Sequence, residues 1–168
     1  MERTLIIFKP DAVMRGLVGE ILARFEKVGL KIVGMKMLKP DEAHLQYHYE
    51  DIGKMITRRG ADKYKWTTDY VGMSPVIAVV LEGIDAVELV RKMVGPTEPK
   101  SASPGTIRGD YAHMTYGYGD QYNVAIMNLM HASGDLEDAK KEIPHWFSES
   151  EVFEYKTAHE HLIRPGEK

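Results

Sequence analysis

PVIAVVLEG, Pro75–Gly83, sets six apolar residues in a row, Val76 to Leu81, between a proline and a Glu–Gly pair. A run that short, rich in β-branched residues and bounded by turn formers, reads as a strand. Three further stretches read the same way. TLIIFK (4–9) is an apolar run stopped by Pro10, KIVGMKML (31–38) alternates, and VAIMNLMH (124–131) ends on a histidine.

The segments between these strands carry helical spacing. Leu17, Ile21, Phe25 and Val28 form a stripe with Gly29 as the stop. Asp41 opens a short helix through His48, and the polar 50–73 region holds a helix at about 62–71. Asp85 with Glu88 has the spacing of a capping box, ahead of an apolar face made by Ala86, Leu89, Val90 and Met93. Gly95–Gln121 reads as one long loop rich in Gly, Pro, Ser, Thr and Tyr. Asp135 and Asp138 cap a helix through Glu142, which Pro144 should end. The order β-α-β-α-α-β-α-loop-β-α is the split pattern of an α+β, ferredoxin-like sandwich. That pattern implies one four-stranded antiparallel sheet with helices on one face. Residues 1–155 read as a single domain, and 156–168 as a tail whose HEHLIRPGEK is a surface strap or a loose end.

Composition narrows the function. With 168 residues the chain can bury a full core. The net charge of −3 gives no basic footprint for nucleic acid. Without cysteine there is no disulfide, zinc–thiolate site or thiol nucleophile. The N-terminal apolar run is too short for a signal peptide and no stretch is long enough to span a membrane, so a cytoplasmic protein is expected.

The polar residues offer phosphate chemistry. In PGTIRGD (104–110) a Pro–Gly turn precedes Arg108, whose planar fork matches a phosphate, although a surface turn has the same look. Arg91 and Thr97 could converge with Arg108 on one anion. Lys9 stands at a strand end, where α/β folds bind ligands. His131 alone would be an ordinary hydrogen-bonded histidine, but Asn128, Ala132, Ser133 and Glu142 surround it in sequence. A glutamate can fix an imidazole's tautomer and leave the other nitrogen as nucleophile. His44 and His48, at i, i+4, lack the carboxylate signature of a metal site, so no protein-held metal is expected.

Together these stretches resemble the nucleoside diphosphate kinase family. The resemblance is carried by ERTLIIFKPDAVMRGLVGEILARFEKVGLKIVGMKML, VLEG, VRKMVGPTEPK, PGTIRGD and NLMHASGDLEDAKKEIPHWF, and it covers about Glu2 to Phe153. It implies ping-pong transfer of a γ-phosphoryl group from a nucleoside triphosphate to a nucleoside diphosphate, with His131 as the carrier. Lys9 and Tyr49 would reach the transferring phosphate, Arg91 and Thr97 the β-phosphate, Arg108 the transferred group, and Asn128 the sugar. Ser133 and Glu142 would set the imidazole. Magnesium would be held by the phosphates and water, and the chain would assemble as a tetramer or hexamer built from dimers.

Several letters depart from the family pattern. The 50–73 and 110–128 segments are longer, and the base-stacking phenylalanine lacks a counterpart, leaving Tyr64 or Trp66 as substitutes. Gly134 stands where Asp is usual, and Glu98 where Asn is usual. Two other classes compete with the enzyme. A nucleotide-binding module without catalysis would not need all the named residues together, and an RNA-binding module would need aromatics on the sheet strands, which are missing.

Overall fold

Leu5, Ile6, Ile7 and Phe8 are each at most 2% exposed. Consecutive strand residues point to opposite faces, so a strand with no exposed side must be covered on both. The computed structural model, which describes residues 1–158 and 160–163, shows how. Strands β1 (Glu2–Phe8), β2 (Lys31–Leu38), β3 (Val76–Gly83) and β4 (Met130–Ala132) form one antiparallel sheet in the order β2–β3–β1–β4, the ferredoxin-like arrangement.

Helices pack on both faces, not on one as the sequence suggested. Ile6, Phe8, Val79 and Leu81 meet Ile21 and Phe25 of α2 (Val18–Lys27) and Val90 and Val94 of α6 (Ala86–Val94). On the other side Leu5, Ile7, Ala78 and Val80 meet Leu45 of α3 (Glu42–Gln46), Val71 of α5 (Ala61–Gly72) and Trp146 of α9 (Leu136–Trp146). Two separate apolar layers therefore sandwich the sheet.

The expected elements around the site shift in informative ways. The fourth strand is Met130–Ala132 and not 124–131, because β1 supplies partners only at Ile6, Ile7 and Phe8 before Pro10 turns it into α1 (Pro10–Met14). The helix containing Glu142 runs through Pro144 to Trp146; the ring forfeits one intrahelical bond, yet Phe147 N–H still reaches Ile143 O at 2.8 Å. Asp85 does not form a capping box. It sits at φ 46° and its side chain caps nothing. Asp41 does cap α3, accepting His44 N–H at 2.8 Å, after which the chain widens into a π-helical turn at Tyr47–Ile52. A short α4 (Met55–Arg59) precedes α5.

The expected long loop is partly helical. It holds α7 (Ile107–Tyr111) and α8 (Tyr116–Tyr122), capped by Thr106 and Thr115. Glu98 explains itself here: its carboxylate accepts Tyr116 N–H at 2.8 Å and the Ser101 hydroxyl, tying the start of α8 to the loop after α6. Of the tail HEHLIRPGEK, His159 and residues 164–168 lie outside the described residues, and α10 (Glu160–Ile163) is the rest. Among the described residues no helix is long and apolar enough to cross a membrane.

Candidate active site

His131 is the middle residue of β4, opposite Ile7. The chain reaches that register through Leu129, whose φ of 72° lies in a region that side chains disfavour. Hydrogen bonds from three directions hold the bend. Asp11 Oδ2 accepts Leu129 N–H at 3.0 Å, and Leu129 O accepts Lys9 N–H at 2.8 Å. Arg108, on α7, donates to Asn128 O at 3.1 Å, Met130 O at 2.6 Å and Gly95 O at 2.8 Å. A planar guanidinium can satisfy three carbonyls at once, which no ammonium could do with this geometry.

The bend aims His131 at α9. Its Nε2 stands 3.0 Å from both carboxylate oxygens of Glu142, while the Ser133 hydroxyl donates to Glu142 Oε2 at 2.7 Å. Ser133 is itself pinned to β1, accepting Leu5 N–H at 3.1 Å. Burial alone would raise the Glu142 carboxyl. The His131 imidazole and the hydrogen bonds from His131 and Ser133 outweigh it and hold the group below the ordinary glutamate value. An ionised carboxylate accepts, so Nε2 carries a proton and Nδ1 is the ring nitrogen that Glu142 does not engage. Among the described residues Nδ1 has no hydrogen-bond partner. The His131 side chain is 20% exposed and that of Glu142 only 4%, so the imidazole has access and its anchor does not.

His48 packs edge-on against His131, with ring centroids 4.5 Å apart, and accepts Trp146 Nε1–H on Nδ1 at 3.2 Å. Burial first, then the charge of His131, pulls its pKa well below the ordinary histidine value, so it stays neutral. The ligand atoms of His48, His131 and Glu142 lie within 4.8 Å of one another, a donor set that a transition metal could use. Their present bonds, to Trp146, Ser133 and each other, already account for all three. Sequence reasoning weighed His48 only as the i, i+4 partner of His44 and missed its place beside His131, and it passed over Trp146, which lies beyond Pro144, where the helix was expected to have ended.

A wall of cations faces this histidine across a cleft of about 700 Å³. Lys9 Nζ donates to Asn128 Oδ1 at 2.8 Å, and Asn128 Nδ2 donates to Thr97 O at 2.8 Å. Burial, then the nearby Arg108 charge, brings the Lys9 ammonium down to about 7. Burial brings Arg108 down to about 10. Arg91 is exposed, with one long contact to Ser133 O at 3.5 Å. Tyr49 lines the cleft, and burial followed by the Glu142 charge raises its phenol, which therefore stays a donor.

The two longer segments meet at the cleft mouth. Arg59 donates to the Tyr116 hydroxyl at 2.9 Å and lies over its ring, and Lys63 pairs with Asp120. Trp66 lines the cleft beneath Lys63; Tyr64 is not on its lining, and Glu42, Glu50 and Asp51 surround it electrostatically instead. The structure thus gathers Lys9, Tyr49, Trp66, Arg91, Thr97, Arg108, Asn128, His131 and Glu142 around one space, with Ser133 buried behind and Tyr64 outside. A recess lined by Arg91, Arg108 and Lys9 together with one accessible imidazole nitrogen suits a polyanion that undergoes nucleophilic attack.

Comparison with known proteins gives a consistent picture. The family model described as nucleoside diphosphate kinase matches residues 2–152. A nucleoside diphosphate kinase of Pyrococcus horikoshii is 48% identical over 165 residues, 98% of this chain and 97% of that protein. One of Borreliella burgdorferi is 44% identical over 93% of each chain. Among solved structures, a transition-state mimic of the Borrelia burgdorferi nucleoside-diphosphate kinase with bound vanadate and ADP superposes with a TM-score of 0.93. It is 41% identical and covers 96% of both chains. An NDP kinase from Pyrobaculum aerophilum gives 0.82 at 38% identity, over 91% of this chain and 99% of that one.

The two arginines should separate in a stability measurement. Arg108→Met leaves three carbonyls without their charged donor and should cost about 3 kcal/mol in chemical denaturation. Arg91→Met, at an exposed site, should stay within about 0.5 kcal/mol of the parent. Equal effects of the two substitutions would contradict this reading of Arg108.

Proposed function

The chain belongs to the nucleoside diphosphate kinase family, and from that premise we propose that it carries the phosphoryl group on His131. The observation that carries the proposal is the pair of Glu142 oxygens at 3.0 Å from His131 Nε2, which leaves Nδ1 as the free nitrogen over the cleft.

The reaction on this reading has two half-steps. A nucleoside triphosphate lies with its phosphates along Lys9, Arg91, Thr97 and Arg108. The Nδ1 lone pair attacks the γ-phosphorus, the N–P bond forms, and the P–O bond to the β-phosphate breaks, releasing a nucleoside diphosphate. The phosphorylated ring carries positive charge, which the Glu142 carboxylate balances through the Nε2–H it already holds. A second nucleoside diphosphate then attacks with a terminal phosphate oxygen, the N–P bond breaks, and His131 returns unchanged. Phosphoryl transfer asks the protein chiefly for position and charge, and the hydrogen-bonded Leu129 bend and the cation wall supply both. A magnesium ion on the phosphates would add charge neutralisation.

Asn128 can reach a sugar hydroxyl with the amide hydrogen and lone pair that Thr97 and Lys9 leave unused. Trp66, on the cleft lining, is the residue for the base. Residues 1–155 would form the catalytic unit. The second half of edge strand β2, with Met35 and Met37 exposed beyond the part that Phe153 and Tyr155 cover, supports assembly into a homo-oligomer of dimers.

Incubation with γ-labelled ATP and magnesium should label the chain on one acid-labile, alkali-stable phosphohistidine, and His131→Ala should abolish it; normal labelling of that variant would overturn the assignment. Lys9 gives a second test with a definite sign. At pH 8 an amine with a pKa of about 7 is mostly neutral, and a bound phosphate raises that pKa, so ADP binding should take up a fraction of a proton. Calorimetry in buffers of different ionisation enthalpy should show this uptake in the parent chain and its loss in Lys9→Met.

A further inference from the structure

The short helix α4 buries none of its residues, so the core is not what it serves. It grows out of Lys54, at φ 51° in the left-handed region, with Ile56 N–H held by Glu50 Oε2 at 2.7 Å. Its last residue, Arg59, lines the cleft that holds His131. There it meets Tyr116, the first residue of α8, from the other long segment. Arg59 Nη1 donates to the Tyr116 hydroxyl at 2.9 Å, and its guanidinium carbon stands 5.1 Å from the ring centre. Tyr116 is fixed in turn through its N–H, which Glu98 accepts at 2.8 Å. The two longer segments and Glu98, all departures from the family pattern, thus form one line of contacts that ends on a guanidinium in the cleft.

The partner's chemistry matters. Lys63, the neighbouring cation at the mouth, is neutralised by Asp120. Arg59 pairs with no carboxylate among the described residues. A phenol takes one N–H and orients the group while cancelling none of its charge, which leaves most of a five-donor fork unused. That charge reaches the phosphate wall: after burial and the charges of Arg108 and Asp11, Arg59 is the next influence on the Lys9 ammonium, lowering it. A held but unneutralised arginine, over a cleft already lined by Lys9, Arg91 and Arg108, adds repulsion among like charges. A polyanion among them reverses the sign, because each guanidinium then gains a charge-assisted hydrogen bond.

We infer that Arg59 is a further phosphate-binding residue of this cleft, giving its guanidinium to the phosphates of a bound nucleotide, and that Tyr116, fixed by Glu98, is its positioning residue. The inference rests on nucleotide binding in this cleft. Contact with phosphate carries no preference for the base.

Calorimetric titration of magnesium–ADP and magnesium–CDP into the parent chain, Arg59→Gln, Tyr116→Phe and the double variant tests this. Arg59→Gln should weaken both nucleotides by the same factor, about 10-fold or more, the contribution of one hydrogen bond to a charged group. Tyr116→Phe keeps the ring and loses the hydroxyl, so its loss should be smaller. The double variant should lose no more than Arg59→Gln alone, because Tyr116 acts through Arg59. Arg59 is exposed, and all three variants should keep the parent's denaturation midpoint; a lowered midpoint would mark the contact as a structural strap and overturn the inference. Parent-like affinity in Arg59→Gln, or a loss confined to one base, would overturn it and leave the nucleotide reading intact. Losses that add in the double variant would overturn the role of Tyr116. A parent chain that binds neither nucleotide would remove that reading, and this inference with it.

Discussion

Glu142 is almost wholly buried on α9, with its carboxylate shared between the Nε2 of His131 and the hydroxyl of Ser133, and Ser133 in turn fastened to Leu5 in the central strand. A buried carboxylate without partners would be expensive, so the site needs both donors to keep Glu142 ionised. That demand fixes the imaging of the site from the inside out. The imidazole must present Nε2 to α9, β4 must pair with β1 in the one register that puts His131 opposite Ile7, and the chain before β4 must bend sharply at Leu129 to allow it. Arg108, Asp11 and Lys9 hold that bend from three sides. Two of these same residues, Arg108 and Lys9, also face the cleft, so one set of hydrogen bonds both shapes the backbone and places the cations.

The scaffold itself was largely legible. Period-2 and uninterrupted apolar runs marked four strands, and the 3.6-residue stripe at Leu17, Ile21 and Phe25 marked α2, because burial writes itself into residue type. Most of what failed depended on partners distant in sequence, and the rest on a local backbone angle. TLIIF is apolar on both faces because helices cover both, a fact that one strand cannot announce. VAIMNLMH has the composition of a strand throughout, yet only Met130–Ala132 finds a ladder partner. Asp85 and Glu88 have capping-box spacing, but the backbone there takes φ 46° and the box does not close.

The site was legible in a different way. His131, Lys9 and Arg108 stood out through a resemblance spanning nearly the whole chain, while single-residue chemistry left each of them ambiguous. The contact of Trp146 with His48 escaped because apposition across 98 positions leaves no local signal. Gly134 departs from the family pattern with no backbone demand behind it, since its φ is not left-handed and a Cβ there would meet only the tip of the Asp138 side chain. The two longer segments show their purpose only in contact: Arg59 on Tyr116 and Lys63 on Asp120 bring α4, α5 and α8 together over the cleft mouth.

The central claim is that Glu142 holds Nε2 and thereby leaves Nδ1 to carry the phosphoryl group. The most direct test is to identify, by phosphorus and nitrogen NMR of the phosphorylated chain, which ring nitrogen of His131 bears phosphorus. The account predicts the Nδ1 isomer. Phosphorus on Nε2 would contradict it, since that nitrogen could react only after leaving Glu142.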